Sequence, residues 1–438
     1  MSLSGNRTFV GFGFGAIQAG LFFYEAYRSG NFGRLVVAEV QPGLVKALRD
    51  ASGLYSVNVA HLDHIEFEEI GPVEIENPQT AEDAKLLVQR VAEADEIATA
   101  LPSVRFYCSE SPGSIHRILA DGLMRKAASD GPPAVVYAAE NHNTAAEELE
   151  EAVFSAIPKD QQDKVRARVR FLNTVIGKMS GVVVDPDEMR SRRLIPVVPN
   201  GDRAFLVEEF NRILISRIHF DDPALAFQRG ITVFAEKDHL LPFEEAKLWG
   251  HNATHALAAY VGSIRGAKRI DELKNAPGVL DFLRAAFIGE SGAALIAQNK
   301  GEDALFTPEG FRAYAEDLLV RMFNPYLADT VERVGRDAAR KLAWDDRLIG
   351  TIRAGLRNGQ RMRRFGFGAA AAACVLDPAL VDARATLEVT LGAIWDQASP
   401  DGDEKRKVLR VVEEGWESLK LWREQQFPHL ENFIQERK

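Results

Sequence analysis

The chain has 438 residues, 46% of them hydrophobic and 26% charged, so it is long enough for two domains and too apolar to be disordered. Its net charge of −10 argues against nucleic acid or an anionic membrane as the main partner. The two cysteines, Cys108 and Cys374, are far apart in sequence, which excludes a disulfide framework and favours a reducing cytoplasm.

A glycine-rich turn lies near the start of the chain. Thr8–Phe12 predicts a short buried strand, and helical spacing of apolar residues begins at Ile17. Between them, a turn of this kind lets backbone N–H groups approach a pyrophosphate at the positive end of a helix. The pattern is imperfect, because Gln18 occupies the place of the third glycine. The candidate cofactor-binding residues of this turn are Gly13, Phe14, Gly15, Ala16 and Ile17.

An acidic residue follows in the next predicted strand, Leu35–Val40. Glu39 lies at the carboxyl end of that strand, about twenty residues after the glycines. A carboxylate there can accept hydrogen bonds from the adenosine ribose and repel a 2′-phosphate, which favours NAD over NADP. The alternative is an ordinary solvated glutamate at a strand end.

Strands and helices alternate through the rest of the first half. Residues 55–75 predict a hairpin or meander inserted into the sheet, and 97–101 and 134–139 predict strands buried on both faces. The pattern indicates an α/β, Rossmann-type, doubly wound sheet. Ligands collect at the carboxyl ends of its strands, so Thr99 is a candidate cofactor residue and Asn141 a candidate site residue. A turn-forming Asn141 is the alternative.

A domain boundary is predicted near residue 200. Residues 1–200 then form the NAD-binding domain, and residues 201–438 form a mostly helical substrate domain. Phe205–Phe210 is predicted to be one more strand, and only helical patterns follow Pro242. A glycine string at 365–368 follows no strand, so we interpret it as close helix packing rather than a second nucleotide site.

The stretch Glu244–Gly266 predicts one helix of about five or six turns. On an α-helical wheel, Lys247, Asn252 and His255 share one broad face, which offers an amine, a carboxamide and an imidazole to a common point. The alternative is a solvated flank of the helix. The small residues around the three side chains favour close packing instead.

Three stretches carry a resemblance to a known family. They are GFGAIQAG near the start, KLWGHNATHALAAYVGSIRG, and the block from Asn324 to Ile349. Together they resemble the polyol-specific long-chain dehydrogenases, the mannitol dehydrogenase family, and the last block is most similar to its mannitol-1-phosphate branch. The resemblance implies an all-α domain after the Rossmann-type one. It also implies an NAD-dependent oxidoreductase that interconverts a polyol, or its phosphate, with the matching ketose.

The resemblance also implies roles for the residues that match its motifs. Lys247 would be the general base that takes the alcohol proton, which requires a lowered pKa. Asn252 and Asn141 would hold the developing alkoxide, and His255 would fix the substrate hydroxyls. No metal is needed in this scheme, and the partner is a small sugar alcohol or sugar phosphate.

Basic residues in the last block match positions that hold the far end of the family's substrate. These residues are Arg333 and Lys341, and Arg336 adds positive charge nearby. A phosphate or a carboxylate would suit them. The alternative is that Glu332, Asp337 and Asp345 already neutralise the arginines.

One departure from the family pattern leaves other functions open. Where relatives carry Val-Asp-Arg-Ile, this chain has Ile176-Gly177-Lys178-Met179, so a carboxylate is missing at Gly177. A protein that binds NAD and a sugar phosphate without turnover, as a sensor, is therefore one alternative. A hexuronate reductase acting on tagaturonate or fructuronate is another, because a carboxylate could occupy the same basic pocket.

Overall fold

The computed structural model describes residues 5–225, 227–381 and 385–434. The chain divides into two compact units, Met1–Leu240 and Leu241–Lys438. The boundary therefore lies at residue 240 rather than near residue 200, because strands that follow residue 200 pair within the sheets of the first unit.

Twelve strands are found in the described part of the first unit. They are β1 (Arg7–Phe12), β2 (Phe32–Ala38), β3 (Tyr55–Ala60), β4 (Ile65–Ile70), β5 (Glu74–Glu76), β6 (Glu96–Thr99), β7 (Ala134–Ala138), β8 (Val169–Ile176), β9 (Ser180–Val183), β10 (Ala204–Glu208), β11 (Ile213–Ser216) and β12 (Ala235–Lys237).

The larger sheet has eight strands in the order β12-β11-β8-β7-β6-β1-β2-β5. All neighbours pair in parallel except β8 and β11, which are antiparallel. Strands β6 and β7 are wholly buried, as expected for continuous apolar runs covered on both faces. The predicted Rossmann-type, doubly wound sheet is confirmed.

A second sheet of four strands, β4-β3-β10-β9, belongs to the same unit. The prediction that residues 55–75 are inserted into the main sheet is correct only for β5; β3 and β4 form a hairpin in the second sheet. Strand β3 pairs in parallel with β10, which is far away in sequence. The β3–β4 hairpin therefore belongs to the second sheet and not to the main one.

Helices of the first unit cover both faces of the main sheet. The glycine turn leads into a π-helical segment, Gln18–Phe23, which continues as the α-helix Tyr24–Ser29. The other α-helices are Pro42–Asp50, Ala81–Glu93, Ile115–Ala128, Ala145–Ser155, Lys159–Arg166 and Pro186–Ser191. Thr80 caps the helix Ala81–Glu93 by accepting a hydrogen bond from the Asp83 amide.

The second unit contains helices and no strand among its described residues. Its π-helical segments are Ala246–Asn252 and Ala286–Gly292. Its α-helices are Leu241–Glu245, Ala253–Arg265, Val279–Ala285, Ala293–Gln298, Pro308–Met322, Val331–Gly335, Ala338–Lys341, Arg347–Arg357, Arg363–Leu376, Leu387–Trp395 and Gly402–Glu424. None of the helices described in either unit is both long and apolar enough to span a membrane.

Close packing explains the glycine string at 365–368. A Cβ built on Gly366 would lie 2.5 Å from the Val411 carbonyl oxygen, and one built on Gly368 would press into Leu257. Because these glycines have no side chains, the helix Arg363–Leu376 packs closely against the backbone at Val411 and the side chain of Leu257. The interpretation as close helix packing is confirmed.

Candidate functional site

The first part of the candidate site is the glycine turn at the carboxyl end of β1. Gly13 has a φ of +85°, and a Cβ there would lie 2.9 Å from the Ala100 carbonyl oxygen, so only glycine fits. A Cβ on Gly15 would meet nothing within 4 Å. The backbone at Gly15 is therefore open to a ligand, which fits the approach of a pyrophosphate.

Glu39 connects this turn to the end of β2. Its side chain is buried, and its two carboxylate oxygens accept hydrogen bonds from the backbone N–H groups of Phe14 at 3.0 Å and Gln41 at 2.8 Å. Arg203 is a charged neighbour of Glu39. Its pKa is raised mainly by the hydrogen bond to Asp202; burial lowers it, and the negative charge of Glu39 raises it to a smaller extent. Glu39 thus lies beside the glycine turn at the end of β2, and its contact with a ribose stays a prediction.

The other residues predicted for the turn take different positions. The ring of Phe14 is buried against Tyr55 and Phe205, and its backbone N–H is donated to Glu39, so its direct contact with a cofactor stays a prediction. Ala16 is buried and Ile17 partly buried, at the start of the helix. Gly20, two residues beyond the missing third glycine, is pressed against Val207 of β10, which is the close packing that a third glycine provides.

A buried carboxylate, Glu140, ties together the carboxyl ends of β6 and β7. It accepts hydrogen bonds from the Thr99 hydroxyl at 2.9 Å, from the Leu101 amide at 2.9 Å, and from the Tyr107 hydroxyl. Thr99 is wholly buried, so the structure gives it a supporting position, and its direct contact with a cofactor stays a prediction. Asn141 follows Glu140 and is exposed at this edge.

The second part of the candidate site lies in the helical unit, where Lys247 and Asn252 belong to the π-helical segment Ala246–Asn252. The prediction of a regular α-helix over Glu244–Gly266 is therefore wrong for this segment. In π-helical geometry each N–H bonds to the carbonyl five residues earlier, so residues five apart lie one above the other. Lys247 and Asn252 consequently lie closer together than the α-helical wheel placed them.

Lys247 carries the ionisable group whose surroundings suit a base. The pKa of its ammonium is lowered to about 8, mainly by burial and to a smaller extent by the positive charge of Arg347, while the carboxylate of Glu244 acts in the opposite direction. The side chain retains some exposure to solvent, which a group that meets a substrate requires. A lysine with this pKa exchanges a proton near neutral pH.

His255 is joined to the basic block through Asp329. The Nε2 atom of His255 lies 3.3 Å from one oxygen of Asp329, and the other oxygen accepts a hydrogen bond from Arg333. Asp329 is buried, pairs with Arg333 through one oxygen and faces His255 with the other. The structure thus brings together two predicted site residues by way of a carboxylate that the prediction did not single out.

Lys341 and Arg336 form a second basic group. The Lys341 amine is buried and donates to the Arg336 carbonyl. Its pKa is lowered to about 8, mainly by burial and also by the charges of Arg347 and Arg340, while Asp337 and Asp346 act in the opposite direction. Arg336 itself is exposed. Positive charge therefore accumulates around Lys341, as an anion site requires.

The carboxylates proposed to neutralise the arginines pair differently from the expectation. Arg333 pairs with Asp329, Arg340 pairs with Asp346, and Asp345 pairs with Arg353 outside the predicted basic group. Part of the basic charge is thus compensated, although by other residues.

Sequence reasoning did not assign Glu140, Glu244, Asp329 or Arg347. Their signals were weak but present: Glu140 directly precedes Asn141, and Glu244 lies one turn before Lys247. Asp329 is four residues before Arg333, at helical spacing. For Arg347, we find no local signal, because its proximity to Lys247 depends on the folding of the second unit.

At Gly177, the position of the missing carboxylate, the structure has room for a side chain. A Cβ built there would find its nearest atom, in the Phe210 ring, at an ordinary contact distance of 3.6 Å. The neighbouring Lys178 is buried and donates to the Asn211 side chain at 2.7 Å. The glycine is therefore not required by packing.

Comparison with family models gives two matches that together cover most of the chain. Residues 7–228 match the mannitol dehydrogenase Rossmann domain, and residues 239–385 match the mannitol dehydrogenase C-terminal domain.

Two bacterial relatives, both named mannitol-1-phosphate 5-dehydrogenase, are similar over much of their length. The protein from Lactiplantibacillus plantarum is 29% identical over 349 residues, which cover 78% of this chain and 80% of the relative. The protein from Bacillus licheniformis is 30% identical over 342 residues, which cover 78% and 81%.

Solved structures share the fold at low sequence identity. A D-sorbitol dehydrogenase in substrate-free form superimposes with a TM-score of 0.76 at 14% identity, covering 99% of this chain and 96% of that one. Pseudomonas fluorescens mannitol 2-dehydrogenase, in a ternary complex with NAD and D-mannitol, gives 0.70 at 16% identity, covering 99% and 95%.

Proposed function

The chain belongs to the mannitol dehydrogenase family, and we propose that it is an NAD-dependent dehydrogenase that interconverts a phosphorylated sugar alcohol with the matching ketose. Two kinds of observation support the proposal. Relatives about 30% identical are named mannitol-1-phosphate 5-dehydrogenase. The helical unit carries an amine with a lowered pKa and a group of basic residues within the same unit.

The single observation that carries the chemistry is the environment of Lys247. An ordinary lysine is an ammonium ion at neutral pH and cannot act as a base. Burial and the nearby charge of Arg347, opposed by Glu244, bring the pKa of Lys247 to about 8, so a useful fraction of the amine is neutral under mild conditions. The neutral amine takes the hydroxyl proton when the alcohol is oxidised, and the ammonium returns it when the ketose is reduced.

The residues of the first unit fit a dinucleotide. The open backbone at Gly15 and the positive φ of Gly13 suit the pyrophosphate, and Glu39 suits the ribose hydroxyls. When bound, NAD accepts the hydride that leaves the substrate carbon. Because Glu39 is a carboxylate, it disfavours the additional phosphate of NADP.

Polar side chains hold the substrate while the proton moves. The carboxamide of Asn252, next to Lys247 in the π-helical segment, donates to the oxygen that becomes negative as the proton leaves. The resemblance to the family assigns Asn141 the same role of donating a hydrogen bond to the developing alkoxide. His255, which faces the Asp329 carboxylate, bonds to the remaining hydroxyls of the substrate.

The phosphate of the substrate is assigned to the basic residues Arg333, Arg336 and Lys341. Because the pKa of Lys341 is about 8, both its neutral amine and its ammonium form are populated near neutral pH. A bound phosphate dianion favours the ammonium form. A carboxylate brings less charge than a phosphate. The proposal therefore ranks a sugar phosphate above a hexuronate as substrate.

The proposal is tested by following NADH oxidation with a panel of fructose 6-phosphate, fructose, tagaturonate and fructuronate. We expect the largest kcat/KM with fructose 6-phosphate. A larger value with tagaturonate or fructuronate would identify a hexuronate reductase. Binding of NADH without turnover on this panel would favour a sensor.

The sensor alternative rests on Gly177, and the structure allows a direct test of it. Because a side chain fits at that position, Gly177→Asp restores the family carboxylate without a steric clash at Cβ. A protein with no turnover that gains activity on this substitution would be a catalytically impaired member of the family. An active wild type excludes the sensor alternative.

We place the enzyme in the cytoplasm, where its free thiols remain reduced.

A further inference from the structure

Two histidines and two glutamates gather at one end of the second sheet, where the β3–β4 hairpin turns. His61 and His64 face each other across the turn, since the His61 amide donates to the His64 carbonyl at 2.9 Å. Their rings stack with centroids 4.5 Å apart and an interplanar angle of 5°. Glu66 follows on β4, and its carboxylate oxygen lies 3.5 Å from the His61 Nε2 atom.

The ligand atoms of this cluster are already close together. One nitrogen each of His61 and His64 and one oxygen of Glu66 lie within 4.8 Å of one another. In a tetrahedral zinc site with bonds of about 2.1 Å, neighbouring ligand atoms lie about 3.4 Å apart. The two stacked rings have to turn out of their parallel arrangement so that both lone pairs point at one ion. The side chains of His64 and Glu66 are more than half exposed, which leaves them room for this rotation, and His61 is partly exposed.

Two further carboxylates orient the imidazoles. Glu209, which follows β10, has an oxygen 2.9 Å from the Nδ1 atom of His61, and Asp63 has one 2.7 Å from the Nδ1 atom of His64. A carboxylate that accepts the Nδ1 hydrogen fixes the tautomer in which Nε2 carries the lone pair. This is the arrangement in which metal-bound histidines are usually supported.

We propose that His61, His64 and Glu66 bind a divalent transition-metal ion, with Glu209 and Asp63 as supporting carboxylates. The donor set of two imidazoles and one carboxylate favours Zn²⁺ and related ions over Mg²⁺ and Ca²⁺, which prefer oxygen ligands. The exposed carboxylates of Asp63 and Glu209 add negative charge that attracts a cation. The site joins the hairpin to the end of β10 and takes no part in hydride transfer.

The test titrates Zn²⁺ into the chelator-treated full chain, without an affinity tag, by calorimetry. We expect one saturable site in the wild type and an affinity at least about tenfold lower in His61→Ala and in His64→Gln. Glu209→Gln keeps all three ligands and removes only a supporting charge, so it is expected to weaken binding by roughly 10–100-fold. Zn²⁺ is also expected to raise the melting temperature of the wild type but not of the histidine variants.

The matched control is His219→Ala, which removes an exposed histidine that is paired with Asp221 elsewhere in the same unit. It should leave zinc binding unchanged. Absorption of the Co²⁺-loaded wild type gives a second readout, because tetrahedral coordination by nitrogen and oxygen has characteristic visible bands. The proposal is overturned if no saturable site exists, or if the site persists in the His61→Ala/His64→Gln double variant.

Discussion

Arg347 holds a positive charge near Lys247 and lowers the pKa of its ammonium, adding to the larger effect of burial. The carboxylate of Glu244 acts in the opposite direction. The protonation of the proposed base is thus set by burial and by two charged neighbours of opposite effect, all within the helical unit. This relationship gives the proposed chemistry a pH dependence whose direction can be worked out.

We expect the oxidation of the alcohol to become faster as pH rises through about 8, because the neutral amine of Lys247 is the base. Ketose reduction should slow over the same range, since it uses the ammonium form. The measurement is kcat/KM against pH in both directions. Parallel profiles in the two directions would contradict the assignment.

Variants of the two charged neighbours should move this midpoint in opposite directions. Arg347→Met removes a positive charge and should raise the apparent pKa, whereas Glu244→Gln removes a negative charge and should lower it. A merely structural role for either residue would change the rate without moving the midpoint. Comparing the two pH profiles with that of the wild type decides between these roles.

Replacing the base itself should remove turnover. Lys247→Ala is expected to lower kcat by roughly 10²–10⁴-fold, the usual contribution of a general base, while NADH binding measured by fluorescence persists. The matched control is Lys300→Ala, which removes an exposed lysine of the same unit. If Lys247→Ala retained most of the wild-type rate, another group would have to be the base.

Asp329 should act as a positioning residue, because one oxygen faces His255 and the other accepts from Arg333. Asp329→Asn keeps the shape of the side chain and removes the charge that pairs with Arg333 and faces His255. We expect the KM for the substrate to rise about tenfold or more, with a smaller change in kcat. Glu332→Gln, an exposed neighbour outside this pair of contacts, is the control. A loss confined to kcat would argue against positioning.

Cofactor preference should depend on the charge of Glu39. Glu39→Gln can still accept a hydrogen bond from the turn but no longer repels a 2′-phosphate, so the ratio of kcat/KM for NADP over NAD should rise roughly tenfold. Glu39→Ala should weaken the preference for NAD as well, with an added loss of the bonds to Phe14 and Gln41. Glu82→Gln, on an exposed helix position, is the control. An unchanged ratio would show that the ribose is recognised elsewhere.

The sequence predicted the central strands well and the peripheral ones poorly, for a physical reason. Strands β6 and β7 are buried on both faces, and their continuous apolar runs are visible in any window. Strand β12 reads only Ala-Glu-Lys and carries no such signal. The pairing of β3 with β10 depends on contacts between distant parts of the chain, which periodicity does not contain.

The candidate site shows the same division. The spacing of Lys247, Asn252 and His255 identified the helix, but apolar periodicity does not reveal a π-helical segment of seven residues. The positive charges of the last block were visible, whereas their partners were not, because Asp329 rather than Glu332 points toward Arg333 in the folded unit.

The helical unit should be sensitive to a single methyl group where two helices touch. Gly366 and Gly415 lie backbone to backbone, and a Cβ on Gly366 would be 2.5 Å from the Val411 carbonyl oxygen. Since backbone atoms cannot rotate away, Gly366→Ala should destabilise the unit by about 1–3 kcal/mol. Differential scanning calorimetry should then show a lower melting temperature, by roughly 2–4 °C for each kcal/mol.

Gly392→Ala is the matched control, because Gly392 also lies within a helix and a Cβ there would meet nothing within 4 Å. Alanine is the better helix former, so this substitution should stabilise its helix by up to about 1 kcal/mol. The two substitutions add the same methyl group and should move the melting temperature in opposite directions. Equal shifts would mean that the contact between the helices at Gly366 does not limit stability.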